Sequence, residues 1–226
     1  MIIFNNESIE GCFIKRLNRF LGLVLIKDKE ELVHIPNTGR MSELLTLGAK
    51  VLLEKSNSRN RKTKYTLKLV LYKEIWICID SLITNKIAYE YLEEHKKGII
   101  NREVKYLNSR FDFTLTTPSE KTYIEVKSVN LVKDGIAFFP DAPTTRGTKH
   151  ILELKKCIQE GFKALVIFIV QRNDAYSFKP NVEVDKGFVI ALKDAYNNGL
   201  EVLVLKCRIN KKEISIERKI DFNIAP

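Results

Sequence analysis

The chain has 226 residues, 45% of them hydrophobic, enough to build one large or two small cored domains, so the expectation is a folded, globular protein. Its 38 Lys+Arg against 28 Asp+Glu leave a formal net charge of +10, which makes a polyanion the natural partner through phosphate neutralisation and counterion release. A membrane surface is the other anionic candidate but is not expected: no basic cluster flanks an apolar anchor, the opening Met1 to Glu7 has no basic n-region, and the longest apolar run, 164–170, is far too short to span a bilayer.

From Ser8 to about Asp80 short apolar runs alternate with turn-forming or charged residues. Cys12 to Ile14, Phe20 to Ile26, Leu32 to Ile35, Lys50 to Leu53, Tyr65 to Tyr72 and Ile75 to Ile79 read as five or six strands of a small barrel filling residues 1–82. Met41 to Leu45 fits one or two helical turns before Gly48. Lys55 to Lys73 holds seven basic residues and no acidic one, including Arg59, Arg61, Lys62 and Lys64 beside Tyr65. Lys15, Arg16 and Arg19 with Phe20 form a second such cluster. Charge for phosphates and rings for stacking are what nucleic-acid binding uses, although a solvated hairpin loop carries the same composition.

The pattern changes near residue 83. Asn85 is placed to cap a helix to about Lys97, with Ile87 and Tyr91 on its apolar face and Glu90 within it. Next come two arms of alternating residues. In Ser109 to Leu115, Phe111, Phe113 and Leu115 share a face and leave Asp112 on the other; in Lys121 to Lys127, Ile124 and Val126 oppose Tyr123, Glu125 and Lys127. Packed as a hairpin, the arms bring Asp112, Glu125 and Lys127 to one side of a sheet.

Two adjacent carboxylates favour a divalent cation between them, and hard oxygen ligands suit Mg2+ or Mn2+. Such a cation, with a lysine beside it, is the equipment of a phosphodiesterase. Glu-x-Lys alone is weak, since it also occurs at Glu94, Glu103, Glu153 and Glu217. A salt-bridge ladder across two strands would carry the same residues.

Beyond the hairpin, Ile136 to Phe139 reads as a strand, and Thr144 or Thr145 caps a helix to about Gly161 on which Arg146, His150 and Glu153 form a stripe. Lys163 to Val170 is a continuous apolar strand ending in Gln171-Arg172, implying a sheet covered on both faces. A helix, Val189 to Asn198, closed by Gly199, a strand at Val202 to Cys207 and a last strand at Glu213 to Glu217, placed at an edge, complete a mixed α/β domain over 83–226. The four scattered cysteines, with no Cys-x-x-Cys pair, read as mostly buried, reduced thiols of a cytoplasmic protein, and the three histidines are too far apart for a local metal motif.

The motifs His34 to Met41, Arg102 to Tyr106, Ser109 to Phe113, Tyr123 to Val129, Phe139 to Ala142, Thr145 to His150 and Gln171-Arg172, in that order along nearly the whole chain, resemble the sugar fermentation stimulation protein A family. The resemblance implies an N-terminal OB-like barrel, a C-terminal domain similar to the PD-(D/E)XK nucleases, and DNA as partner, with members tied to regulation of sugar metabolism, maltose genes included. By similarity to the nuclease pattern, Asp112, Glu125 and Lys127 are its catalytic residues, Glu90, Asp112 and Glu125 its metal ligands, and Arg146, His150 and Gln171 lie at motif positions near them as phosphate-binding or supporting residues. Phe111 stands where the nuclease motif has proline, and Asp185-Lys-Gly-Phe188 departs from the family's Asp-Pro-aromatic sequence, which bears on the geometry of that loop.

Three functions follow as expectations: a metal-dependent deoxyribonuclease, a non-catalytic DNA-binding regulator, or an RNA-binding or RNA-processing protein, since OB barrels accept single strands of either kind. A small-molecule substrate is not expected, because no Gly-rich phosphate loop is present. No helix-turn-helix is apparent either, so phosphate contacts and shape should outweigh base readout.

Overall fold

The chain begins with a two-residue strand, β1 (Ile2–Ile3), and then builds a barrel from β2 (Ile9–Arg16), β3 (Leu21–Ile26), β4 (Lys29–His34), β5 (Lys50–Lys55) and β6 (Tyr65–Tyr72). The structure is a computed structural model and describes residues 1–4, 7–56 and 61–224. Five strands pair in the order β4-β3-β2-β5-β6, and a short parallel pairing of Val33 and His34 with Tyr65 and Thr66 brings β6 back to β4 and closes the barrel. Alternation sends Phe13, Val24, Val33, Val51, Leu53 and Leu67 inside, all at most 1% exposed. β7 (Ile75–Cys78) hairpins back along β6. The segment expected to be helical at Met41 to Leu45 makes only one hydrogen-bonded turn, Leu45 N–H donating to the Met41 carbonyl, while Met41 and Leu44 enter the barrel core.

Asp80 caps the 3-10 turn Ser81–Ile83, accepting from the Leu82 N–H, and this turn leads into α1 (Thr84–His95). Asn85 therefore lies inside the helix rather than at its cap. The rest of the chain is β8 (Ile99–Tyr106), β9 (Ser109–Thr116), β10 (Lys121–Val129), β11 (Leu131–Lys133), β12 (Ile136–Phe139), α2 (Thr145–Gln159), β13 (Lys163–Val170), β14 (Ser177–Pro180), α3 (Lys186–Asn197), β15 (Glu201–Ile209), β16 (Glu213–Lys219) and β17 (Asp221–Phe222). Seven strands form one mixed sheet in the order β1-β16-β15-β13-β10-β9-β8, and β11-β12-β14-β17 form a second, smaller one. β13 is central and parallel to both β10 and β15. Leu165, Ile167 and Ile169 face α1, and Val166, Phe168 and Val170 face α2 and α3, so its unbroken apolar run reflects burial on both faces.

Three expectations are corrected. β16 is not an edge, because β1 pairs outside it through Ile2↔Ile214. For the same reason residues 1–4 do not belong to the barrel: Ile2 and Phe4 pack in the core between the large sheet and α1. Phe111, Phe113 and Leu115 do not share a face. Phe113 and Leu115 pack with Ile124 and Val126 on the α1 side, while Phe111 packs with Tyr123 on the α2 side. The period of two fails where the ladder fails: β9 and β10 pair only from Lys121↔Thr116 to Ile124↔Phe113, and across from Asp112 on β8, Glu103 turns to φ +56°.

The barrel is fused to the second domain. Leu52, Leu69 and Cys78 share the α1-side core with the large sheet. Asn130 donates to the Cys78 carbonyl at 2.6 Å, and Asn37 donates to Ile79 O at 2.9 Å and to Asn130 Oδ1 at 3.2 Å. Arg172, 1% exposed, forks onto Asp174 at 2.8 and 2.6 Å, donates to Asn130 O, and lies 5.3 Å from the Tyr72 ring centre. Among the described residues no helix is long and apolar enough to cross a membrane.

Candidate active-site cleft

Because β9 leaves β10 at Ile124, the second half of β10 is paired on one side only, with β13, and its other side opens onto a cleft of about 450 Å³ between the two domains. Asp112, Glu125, Lys127 and Ser128 line it from the sheet. The first turn of α2 contributes Arg146 and Gly147, and the barrel contributes Arg19 and Gly39. Splaying the strands would leave a β10 amide without a partner, and Asp112 supplies one: Val126 N–H donates to Oδ2 at 2.8 Å. Asn85 Nδ2 donates to Oδ1 at 2.7 Å, tying α1 to the same carboxylate.

Glu125 is 3% exposed. Lys127 Nζ donates to its Oε1 at 2.5 Å, and His150 Nδ1, from α2, donates to the same oxygen. The other oxygen, Oε2, is buried and has no hydrogen-bond partner. Burial opposes ionisation of Glu125, but Lys127 and His150 outweigh it and hold the carboxyl below its ordinary range. Asp112 moves the other way, raised first by burial and then by the charge of Glu125. A second cation would therefore be favoured here, and a buried carboxylate oxygen without a partner is the donor that a hard divalent ion takes. The donor set present thus fits such an ion, Asp112 and Glu125 being the carboxylates that line the cleft.

Glu90 does not join them. Its Oε2 takes the Met1 ammonium at 2.5 Å, and it lines a separate cavity with Ile214, Ser215 and Glu217. On a helix a step of five residues from Asn85 is a turn of about 140°, so Asn85 faces the site and Glu90 cannot. Among the described residues no three His, Cys, Asp or Glu side chains gather as a metal shell. Gln171 is not at the cleft surface either. It is 0% exposed and joins the domains, donating to Asp80 O at 3.1 Å and Cys78 Sγ at 3.2 Å while accepting from Ser128 Oγ. It supports the cleft only from behind, through Ser128. Arg146 is exposed on the rim, and His150, 5% exposed, is packed behind Glu125.

Of the basic residues expected to bind nucleic acid, Arg19 alone among those described lines the cleft. Arg16 is committed elsewhere: its guanidinium donates to the carbonyls of Asn18, Arg19, Asn37, Gly39 and Arg40, shaping the two loops of the barrel rim. Phe20, next to Arg19, stacks on His34, and the charge of Arg61, after burial, helps lower the His34 pKa. Lys15, Lys62 and Lys64 are exposed on the barrel, Tyr65 is half-buried against its core, and Arg59 lies outside the described residues. The loop in which the sequence departs from the family is well tied, since Asp185 accepts from Phe188 N–H at 2.9 Å and Thr144 N–H at 2.8 Å.

Two site residues escaped the sequence reading. Asn85 looked like a cap. Asp141, inside the Phe139 to Ala142 motif but given no role there, lines the cleft, its carboxyl raised by burial despite Arg16 and Arg40 nearby. It packs against Gly39, where a Cβ would overlap its Oδ2. The run Pro140-Asp141-Ala142-Pro143, too rigid for a solvent-seeking loop, was the available signal.

Comparison with known proteins places both domains. Residues 14–79 match the SfsA N-terminal OB domain, and residues 82–213 match the sugar fermentation stimulation protein RE domain. The sugar fermentation stimulation protein homolog of Clostridium beijerinckii is 43% identical over 223 residues, covering 96% of this chain and 97% of that protein. The homolog of Acetivibrio thermocellus is 44% identical over 223 residues, with 95% and 96% covered. Among solved structures, Pyrococcus furiosus SfsA in complex with Ca2+ superposes with a TM-score of 0.89 at 29% identity, covering 97% of each chain. The chain belongs to the sugar fermentation stimulation protein family.

Proposed function

We propose that this protein binds DNA across the cleft between its two domains and hydrolyses phosphodiester bonds with a divalent cation held by Asp112 and Glu125. The observation that carries this reading is the buried, unpartnered Oε2 of Glu125 in the cleft that also presents Asp112 and Lys127. When bound, Mg2+ or Mn2+ would acidify a water and offset charge on the phosphoryl group. Lys127 holds the Glu125 carboxylate in place and, on the cleft wall, is positioned to orient the attacking water. Asn85 and Val126 N–H fix Asp112. Arg19 and Arg146, on opposite rims, are suited to the phosphates on either side of the scissile bond, and the N-terminal turn of α2 adds its positive dipole end. The Ca2+ named for the Pyrococcus furiosus relative supports an oxygen-lined divalent site, since Ca2+ shares that ligand preference. Four free cysteines, three of them buried, suit the cytoplasm.

The relatives' name favours a second reading, in which the same cleft holds DNA without cutting it and acts in regulating sugar metabolism. One experiment separates the two. Supercoiled, linear and single-stranded DNA, with a matched RNA, are incubated with the protein in Mg2+, Mn2+ or EDTA, beside a gel shift and the Glu125→Ala variant. Metal-dependent cutting of DNA by wild type alone is the expected result. Binding without cutting would move the assignment to the regulator, and a clear preference for RNA would change the partner.

A further inference from the structure

A second concavity, of about 660 Å³, lies on the far side of β12 from the cleft, between that strand, the turn after β14, α3 and the C-terminal segment. Its size is that of a small-molecule site. The floor is apolar, made by Ile136, Phe138, Val182, Val189, Ile190 and Ile224. Val182 and Ile190 are 54% and 58% exposed, so this floor is open to water.

Its charge is one-sided. Lys186 and Lys193 flank Val189 and Ile190 on one stripe of α3 at helical spacing, and Lys133 and Lys179 stand on the strand side, so four lysines face two carboxylates, Asp134 and Glu183. Among the described residues none of these lysines has an ion-pair partner, whereas Lys155, one helix away, is paired with Asp194 at 2.7 Å. An apolar floor with unpaired ammonium groups at its rim selects a ligand with an apolar body and a negative end.

We propose that this groove binds a small amphipathic anion: an acyl or aryl body against Ile190, Val182 and Phe138, and a carboxylate, sulfonate or phosphate among the lysines. The site is independent of the cleft chemistry, yet it shares a wall with it. Asn181, on the groove side, donates to Pro140 O at 3.0 Å and through its N–H to Phe139 O at 2.8 Å, and Pro140 lines the cleft. An occupant would thus rest against the segment that carries Asp141.

The test uses the full chain, anilinonaphthalene sulfonate as fluorescent probe, and decanoate and decylamine as competitors. The expected result is saturable binding of one probe per chain, displaced by decanoate and not by decylamine. Ile190→Asp and the Lys186→Glu/Lys193→Glu pair should each weaken it at least tenfold, with Lys29→Glu unchanged as a control. All these side chains are exposed, so the fold should survive, and near-UV circular dichroism verifies it. No saturable binding, equal binding by the variants, or equal displacement by decylamine would overturn the proposal. Light scattering provides a further arm: a wild-type dimer dissociated by Ile190→Asp would give the groove to a second copy of the chain instead.

Discussion

The two walls of the cleft are made in different ways. The barrel wall is a pair of irregular loops whose shape is set by Arg16, with its guanidinium spread over five backbone carbonyls, and it presents few side chains to the cleft beyond Arg19. The opposite wall hangs Asp112, Glu125, Lys127 and Arg146 on two strands and a helix. One wall is positioned by an arginine that has no spare donors for a ligand, and the other carries groups still short of partners. Groups placed on regular elements are held more accurately than groups on loops, which suits the division, under the proposed function, into a shaping wall and a reacting wall.

That division predicts unequal effects. Glu125→Ala should lower metal-dependent cleavage by at least about a hundredfold while gel-shift affinity stays within a few-fold. A parallel loss of affinity would mean that the reacting wall also does most of the holding. Arg16→Met should destabilise the protein by about 2 kcal/mol, read as a lowered urea midpoint at unchanged m, because its carbonyl partners then depend on water alone. Unaltered stability together with a weaker salt dependence of DNA binding would instead make Arg16 a phosphate ligand. Asn85→Ala removes one donor from Asp112 and should cost about 1 kcal/mol. Arg19→Ala should reduce the slope of log affinity against log salt by about 1 with little effect on folding.

The smallest effect is in pH dependence. Asp112 has a folded pKa raised by burial and by Glu125, so its contribution to stability is fully present below the unfolded pKa and is lost as pH rises through the folded value. In EDTA, the urea midpoint of Asp112→Asn should therefore gain on wild type as pH rises across that window. A variant that instead loses ground to wild type as pH rises would show that Asp112 is stabilised as the carboxylate.

Regular periodicity made much of the fold legible. The barrel strands, α2 with Thr144 as its cap, and the doubly buried β13 all follow from spacing and composition, because each is an uninterrupted element whose faces are assigned by arithmetic. Asp112, Glu125 and Lys127 reach one cleft as their pattern suggested, but not for the reason given. A continuous hairpin would have kept Phe111 beside Phe113, whereas the strands part and Asp112 replaces the missing backbone partner. A positive φ at Glu103 has no signature in residue type, so the break was invisible. Glu90 failed because motif spacing does not carry helix phase, and Arg16 because charge composition cannot say whether a guanidinium will be spent on backbone carbonyls. Gln171 lies behind the cleft, and its amide is used in the seam between domains, which motif position does not reveal.

The contact of Gly39 with Asp141 sets a limit on what the cleft can become. A methyl group at position 39 would meet the Asp141 carboxylate head on, and two movements relieve it. The rim loop can retreat, against the hold of Arg16, and widen the passage; or the carboxylate can swing aside within the cleft that Asp112 and Glu125 also line. The first would give the cleft more room, and the second would move a third carboxyl group within it. Residue 39, which carries no side chain, therefore stands between a broader cleft and a more acidic one.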